Sequence, residues 1–161
     1  MISILISGIP KLQSGLEKMK AINKLVAEWM KSGSPDKIMQ KSFLMNFSNQ
    51  GRPEKWDELS DETIRQRDFE GYAEGPILQR SGSLMDKITD MEGDVMVGSV
   101  SSSMTWGIDQ LDAETRRKFG PNQIGKGRSG QDLPARPMIG FQTQDGKKLT
   151  DDLRNWILKT L

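Results

Sequence analysis

The 161 residues, 35% hydrophobic and 28% charged, suit a single soluble domain (1–161) with one buried core. Neither Cys nor His is present, which excludes disulfides and thiolate metal sites and removes the usual side chain for acid–base chemistry near neutral pH. These absences argue against an enzyme. The net charge of +1 argues against a general nucleic-acid binder, and no stretch has the length of a membrane span or signal peptide.

Charge is segregated along the chain. Residues 1–50 carry seven basic and three acidic side chains (+4), whereas residues 51–112 carry six basic and fourteen acidic (−8). Residues 113–137 carry six and two (+4), and the remainder carries four and three (+1). Such a chain can present oppositely charged faces to copies of itself or to another protein. The alternative is that these charges mix in three dimensions and only keep the surface soluble.

The N-terminal fifty residues predict a strand followed by a helical hairpin. Within residues 1–10, Ile2, Ile4 and Ile6 alternate with other side chains, the period of a strand. Residues 11–50 have helical spacing instead, interrupted by a Ser-Gly-Ser-Pro break. We therefore expect two antiparallel helices joined by a short turn.

The middle of the chain predicts short elements. Ser60 is a suitable N-cap for a helix that ends near Arg67, and a second short helix follows the Ser-Gly-Ser of residues 81–83. Residues 93–100 read as a strand, and residues 105–111 form a second apolar segment. These two segments predict a hairpin.

The C-terminal third predicts a long loop, a strand and a helix. Residues 112–133 are Gly-rich, basic and aperiodic, which is typical of a functional or mobile loop. Residues 138–142 read as a short strand, and residues 145–161 have an apolar helical face. The whole order predicts an α+β fold with helices packed on a small, mostly antiparallel sheet.

No motif for catalysis or for a cofactor is found. The carboxylate clusters lack calcium-loop spacing, and the Gly-rich stretch 125–130 resembles a phosphate-binding loop only in composition. The basic segment 113–128 can contact phosphates or pair with the acidic middle of a neighbouring subunit, and we favour the neighbouring subunit. Its basic residues are Arg116, Arg117, Lys118, Lys126 and Arg128.

A series of short motifs runs through the chain from residue 51. It consists of Gly51-Arg52-Pro53, Trp56-x-x-Leu59-Ser60-x-x-Thr63, Ile77-Leu78-Gln79-Arg80-Ser81-Gly82-x-Leu84, Val95-x-Val97-Gly98, Gly107-Ile108-Asp109-Gln110 and Leu133-Pro134-Ala135-Arg136-Pro137-Met138-Ile139-Gly140. Together these motifs resemble the phage virion morphogenesis family, the Mu-like tail-completion proteins. Asp109 and Leu111 stand where family members commonly have a His and an aromatic residue, which suggests a divergent member.

The resemblance implies a structural protein of a tailed bacteriophage virion, assembled in the bacterial cytoplasm. It further implies a tail-completion or tail-terminator subunit at the neck, in a closed ring of itself, most simply a hexamer. The implied partners are the tail tube protein and the head–tail connector proteins, with no cofactor or membrane and DNA contact only through the ring lumen. The alternative is a nucleic-acid-binding accessory protein that uses residues 113–128.

Several residues are candidates for interface or motif roles. Arg52 and Arg80 belong to the shared motifs, and Trp56 and Trp106 suit core or interface anchors. Arg136 lies between two prolines that stiffen its backbone, so it suits either a fixed salt bridge or a simple structural turn.

Overall fold

The computed structural model describes residues 9–72, 75–125 and 132–160. In these ranges it contains six α-helices and one two-stranded antiparallel sheet, which confirms the predicted α+β class. The helices are α1 (Ile9–Met30), α2 (Ser34–Ser48), α3 (Asp61–Phe69), α4 (Ser83–Thr89), α5 (Ala113–Ile124) and α6 (Thr143–Thr160), and the strands are β1 (Asp94–Val97) and β2 (Ser102–Thr105).

The helical hairpin follows the sequence pattern closely. Gly33 between α1 and α2 has φ 75°, a left-handed conformation that glycine adopts without a steric penalty, and Pro35 occupies the first turn of α2. The indole nitrogen of Trp29 and the hydroxyl of Ser34 both donate to Asp152 Oδ2, each at 2.7 Å. The hairpin turn is thereby attached to α6.

The buried core is formed mainly by helices and the segments that connect them, and the two-stranded sheet lies beside it. The apolar residues Met39, Phe43 and Phe47 of α2 pack against α4, the segment before α3 and the chain around residue 138. β1 and β2 pair in register from Asp94 with Thr105 to Val97 with Ser102, and α1 packs against them. The buried cluster consists of Met39, Phe43, Phe47, Trp56, Leu84, Ile88, Met91, Leu111, Met138 and Ile139.

The predicted N-terminal strand 1–10 is not supported where it can be compared. Residues 1–8 lie outside the described residues, and Ile9 and Pro10 belong to α1. A hairpin is present and its first strand falls within the predicted 93–100, but its second strand, β2, shares only Thr105 with the predicted segment 105–111, so that part of the prediction is wrong. Residues 108–110 form a 3-10 turn instead.

The prediction of a loop over residues 112–133 is wrong for its first half, which is α5. The Asp112 side chain caps this helix: Oδ1 accepts from the Thr115 amide at 3.0 Å and Oδ2 from the Thr115 hydroxyl at 2.8 Å. These hydrogen bonds lower the pKa of Asp112 to about 2. Gly125, at φ 71°, ends the helix.

The predicted strand at 138–142 is also absent, since this described segment is irregular. Met138 and Ile139 are both buried, so the segment does not alternate between core and solvent. The Gln123 carboxamide takes the place of a strand partner. Its oxygen accepts from both amides, at 2.8 and 3.1 Å, and its nitrogen donates to the Ile139 carbonyl at 2.7 Å.

Candidate functional site

A buried polar network lies beneath the Gly51-Arg52-Pro53 motif. The Arg52 guanidinium donates to the Ser42 carbonyl, to Ser42 Oγ at 2.8 Å and to Asn46 Oδ1 at 2.8 Å. Asn46 in turn donates to the Met138 carbonyl at 2.8 Å, and Ser42 Oγ donates to Asp145 Oδ2 at 2.5 Å. Arg52 thus binds Ser42 and Asn46 of α2. Asn46 continues the network to Met138, and Ser42 continues it to the start of α6.

Asp145 completes this network at the start of α6. It is fully buried, and its Oδ2 accepts from the Gln142 backbone amide at 2.9 Å, the reciprocal contact of a capped helix N-terminus. Its Oδ1 has no hydrogen-bond partner, and the Lys148 ammonium lies 3.9 Å away. The Gln142 side chain donates to the Arg52 carbonyl at 3.2 Å. Arg52 and Asp145 are thus held by shared partners.

Gly51 and Trp56 fix the turn that carries Arg52. Gly51 has φ 111°, and a Cβ there would lie 2.5 Å from the Glu54 carbonyl oxygen and 2.8 Å from Trp56 Cδ1, so only glycine fits. The Trp56 ring is buried and packs edge-on against Phe47 with centroids 5.7 Å apart. Trp56 is a core anchor, one of the two roles expected of it.

Trp106 attaches the β-hairpin to α2. Its indole nitrogen donates to Asp36 Oδ1 at 2.8 Å, and the same oxygen accepts from the Gly93 amide at 2.8 Å. A Cβ on Gly93 would lie 2.7 Å from Trp106 Nε1, so the ring is packed directly on the backbone. Trp106 is half-buried, and its indole nitrogen is engaged in a hydrogen bond within the subunit.

Three of the sequence motifs meet at one cleft of about 680 Å³. Residues 58–63 form one wall, residues 77–84 the second, and residues 133–136 with α5 the third. We call this the motif cleft. Its charged lining residues are Glu58, Arg67, Arg80, Lys118 and Arg136.

The guanidinium groups of the motif cleft are mostly engaged within the subunit. Arg80 forms an ion pair with Glu70 and lies over the Tyr72 ring at 4.2 Å. Arg136 is buried and donates to the backbone carbonyls of Asp57 at 3.1 Å and Glu58 at 3.2 Å. Within the described residues its ligands are therefore carbonyl oxygens, which fits the structural turn of the two roles expected of it better than the salt bridge. Burial lowers the pKa of Arg136 from its ordinary value.

Arg67 is the exception in the cleft. It is buried and donates to the Gly75 carbonyl at 3.1 Å, but its Nε has no partner. It lines both the motif cleft and a smaller apolar groove beside α3. Sequence reasoning placed Arg67 only at a helix end, and a basic residue at that position is ordinarily exposed.

The model of the phage virion morphogenesis family matches residues 36–158, which include α2 to α5 and most of α6. The chain belongs to the phage virion morphogenesis family. No curated protein and no solved structure was found to match it.

Membership of the phage virion morphogenesis family identifies a structural or assembly protein of a phage particle. The match includes Arg52, Arg80 and Arg136 and leaves α1 outside. In the part of the chain that the structure describes, no cluster of acidic side chains is arranged to hold a metal ion. No helix in that part is long and apolar enough to cross a bilayer.

The described basic residues of the segment 113–128 lie on a helix and not in the predicted loop. Arg116, Arg117 and Lys118 are successive residues of α5, so they point about 100° apart around the helix. Arg116 lies 3.9 Å from Asp109, and the Lys118 ammonium lies over the Phe119 ring at 5.2 Å. Lys126 and Arg128 lie outside the described residues.

Ser42, Asn46 and Asp145 are functional residues that sequence reasoning missed. Ser42 and Asn46 share the α2 face that carries the buried Phe43 and Phe47, and a polar residue at core spacing was the available signal. Asp145 gave no such signal. Its burial depends on long-range contact with α2, and an acidic residue in the first turn of a helix is ordinarily exposed.

Proposed function

We propose that the chain is a ring-forming tail-completion or tail-terminator subunit at the head–tail junction of a tailed bacteriophage. The observation that carries this proposal is the family match over residues 36–158. The subunit would bind copies of itself in a closed ring, with the tail tube protein on one side and head–tail connector proteins on the other. We expect a hexamer, the ring size that the resemblance to tail terminators implies, and DNA contact only through its lumen.

The use of the motif residues supports a structural role. Arg52, Trp56 and Arg136 bind backbone carbonyls or fill the core, and Arg136 connects segments 79 residues apart in the chain. Side chains that make such internal contacts fix the shape of the subunit. That shape determines which surfaces the subunit presents to its neighbours in a ring. The segregated charge supports a closed ring as well, since such rings bring two different patches of the subunit together.

The proposal is tested by the size and location of the assembly. Mass photometry and electron microscopy of the purified protein should show a closed oligomer, and labelling should place it at the neck of the virion. Particles that lack the protein should have heads with detached tails if it joins the two, or overlong tails if it terminates the tube. A chain that stays monomeric within finished particles would contradict the proposal.

The alternative function, nucleic-acid binding through residues 113–128, has less support. In the described part of this segment, the Arg116 and Lys118 side chains already have partners within the subunit. A DNA-binding titration at rising salt separates the two functions, because phosphate contacts release counterions and weaken steeply with salt. Absence of binding at about 50 mM salt would exclude the alternative.

A further inference from the structure

The first half of α1 projects from the body of the subunit. Every residue from 13 to 22 is exposed, whereas Asn23, Ala27 and Trp29 in the second half are buried. Asn23 is where the helix first meets the β-hairpin: its amide donates to the Gly98 carbonyl at 2.8 Å, and its oxygen accepts from the Ser102 hydroxyl at 2.9 Å. We call residues 13–22 the projecting half of α1.

The projecting half of α1 carries an apolar stripe that no other described element of the subunit covers. Leu16, Met19 and Ile22 recur at three-residue spacing on one side and are 41%, 55% and 57% exposed. Lys18 and Lys20 lie about 100° to either side of Met19, so a cationic side chain flanks each edge of the stripe. An amphipathic helix of this kind is stabilised mainly by packing its apolar face on a partner.

A second uncovered apolar surface lies beside α3. Leu59, Ile64, Pro76 and Ile77 line a groove of about 380 Å³, which we call the α3 groove. Phe69, at the end of α3, is 93% exposed. Glu58, Arg67 and Asp68 are the charged residues of the groove lining.

The two surfaces have opposite charge. Residues 57–70 contain six acidic and two basic side chains, a net charge of −4. The projecting half, residues 13–22, contains two basic and one acidic side chain, a net charge of +1, with Lys20 paired to Glu17 at 2.9 Å. Glu58 and Asp68, which line the groove, are both exposed, and they match the lysines that flank the stripe.

We propose that the projecting half of α1 of one subunit packs into the α3 groove of the next subunit, with Met19 in the groove and Lys18 and Lys20 facing Glu58 and Asp68. Both surfaces are apolar, exposed and opposite in charge, so each can pack on the other across two copies of the chain. It joins two different patches, the heterologous kind of interface that closes a ring. This inference rests on the proposed ring and names the surfaces that form it.

Disulfide crosslinking detects the contact directly. Because the chain has no cysteine of its own, only introduced cysteines can crosslink. Met19→Cys protein carrying a size tag is mixed with untagged Phe69→Cys protein and oxidised mildly. We expect a mixed dimer of intermediate size on a non-reducing gel. The matched control replaces Phe69→Cys with Leu158→Cys, an exposed apolar residue of α6 that is 66% exposed, and should give at least about tenfold less mixed dimer.

A charge exchange tests the same contact without cysteines. Lys18→Glu/Lys20→Glu and Glu58→Lys/Asp68→Lys should each raise the dissociation constant between subunits about tenfold, since attraction becomes repulsion at both edges. The quadruple variant should return to within about threefold of the wild-type value. Lys147→Glu/Lys159→Glu on α6 is the control and should leave the constant unchanged.

The outcomes separate this inference from the ring itself. A ring that forms normally in all four charge variants, with no Met19–Phe69 mixed dimer in purified protein or in assembled phage, would overturn the contact and leave the ring standing. A wild-type chain that is monomeric in solution and in the virion would overturn both. Circular dichroism on each variant, with an unchanged melting temperature, establishes that any loss of assembly is not a loss of folding.

Discussion

The network around Arg52 and the projecting half of α1 use their side chains in opposite ways. In the network, polar groups are withdrawn from solvent and most are hydrogen-bonded to one another, so that Ser42 and Asp145 meet across 103 residues. In the projecting half, apolar groups are left in solvent. The first arrangement stabilises one subunit, whereas the second is costly unless another subunit covers it.

The network around Arg52 lies within the residues that the family model matches, whereas α1 lies outside them. The family match begins at residue 36, after α1 has ended, and includes the network and the motif cleft. Substitutions in the matched body should therefore change the free energy of unfolding of the subunit. Substitutions in the projecting half should change assembly alone.

Trp56→Ala should have the largest effect on stability. It removes a buried ring that packs against Phe47 and supports the turn at Gly51, so it should cost about 4 kcal/mol of unfolding free energy, as large-to-small core changes do. Urea denaturation followed by circular dichroism measures it. Trp56→Phe keeps most of the ring and should recover more than half of the loss. A loss below about 1 kcal/mol for Trp56→Ala would mean that the core does not depend on this ring.

Arg52→Ala should come next, at roughly 2 kcal/mol, because it leaves the Ser42 carbonyl and the Asn46 amide oxygen without their donor. Arg52→Lys keeps the charge but not the fork of donors, and should recover little. Lys147→Ala, at an exposed position of α6, is the matched control and should stay within about 0.5 kcal/mol. Equal losses for Arg52→Ala and Lys147→Ala would refute a structural role for the network.

The helices that the sequence predicted well are those whose signals are local. The spacing of Met39, Phe43 and Phe47 and the break at Gly33 define α2 without reference to the rest of the chain. Ser60 caps α3 as expected, accepting from the Thr63 amide at 3.3 Å. Apolar spacing, helix breaks and N-caps depend on residues close together in the chain, so residue types alone predict them.

The elements that were missed depend on distant partners or were hidden by unfavourable residues. Gly120 and Pro121 lie inside α5 and made residues 112–133 look like a loop, although Asp112 is a capping residue and Gly125 a stop. The partners of Arg136 are backbone carbonyls, which residue type alone does not reveal. The charge pattern was compatible with opposed faces or with a mixed surface. The exposure of the projecting half depends on how α1 packs in three dimensions, which the sequence pattern does not specify.

Asp112→Ala should have a smaller effect that depends on pH. The folded-state pKa of about 2 lies below the ordinary value of 3.8, so the ionised carboxylate stabilises α5 above pH 4, and this stabilisation is lost as pH falls towards 2. Wild type should therefore melt at a higher temperature than Asp112→Ala at pH 6, with the difference disappearing near pH 2. A difference that is the same at both pH values would mean that the carboxylate charge is not what caps the helix.

Met19→Asp should have the smallest effect on folding and a large one on assembly. Met19 is 55% exposed, in the half of α1 whose residues are all exposed, so the free energy of unfolding should stay within about 0.5 kcal/mol when measured below the concentration at which subunits associate. Association should weaken about thirtyfold, because a carboxylate would lose its hydration in an apolar groove whose charged residues, Glu58, Asp68 and Arg67, are net negative. Sedimentation velocity across a range of concentrations measures that change. Leu158→Asp is the control, since Leu158 is similarly exposed but on α6. If Met19→Asp destabilised the fold as much as Arg52→Ala does, α1 would belong to the same cooperative unit as the matched body, and its apolar stripe would be explained by folding without any need for a neighbouring subunit.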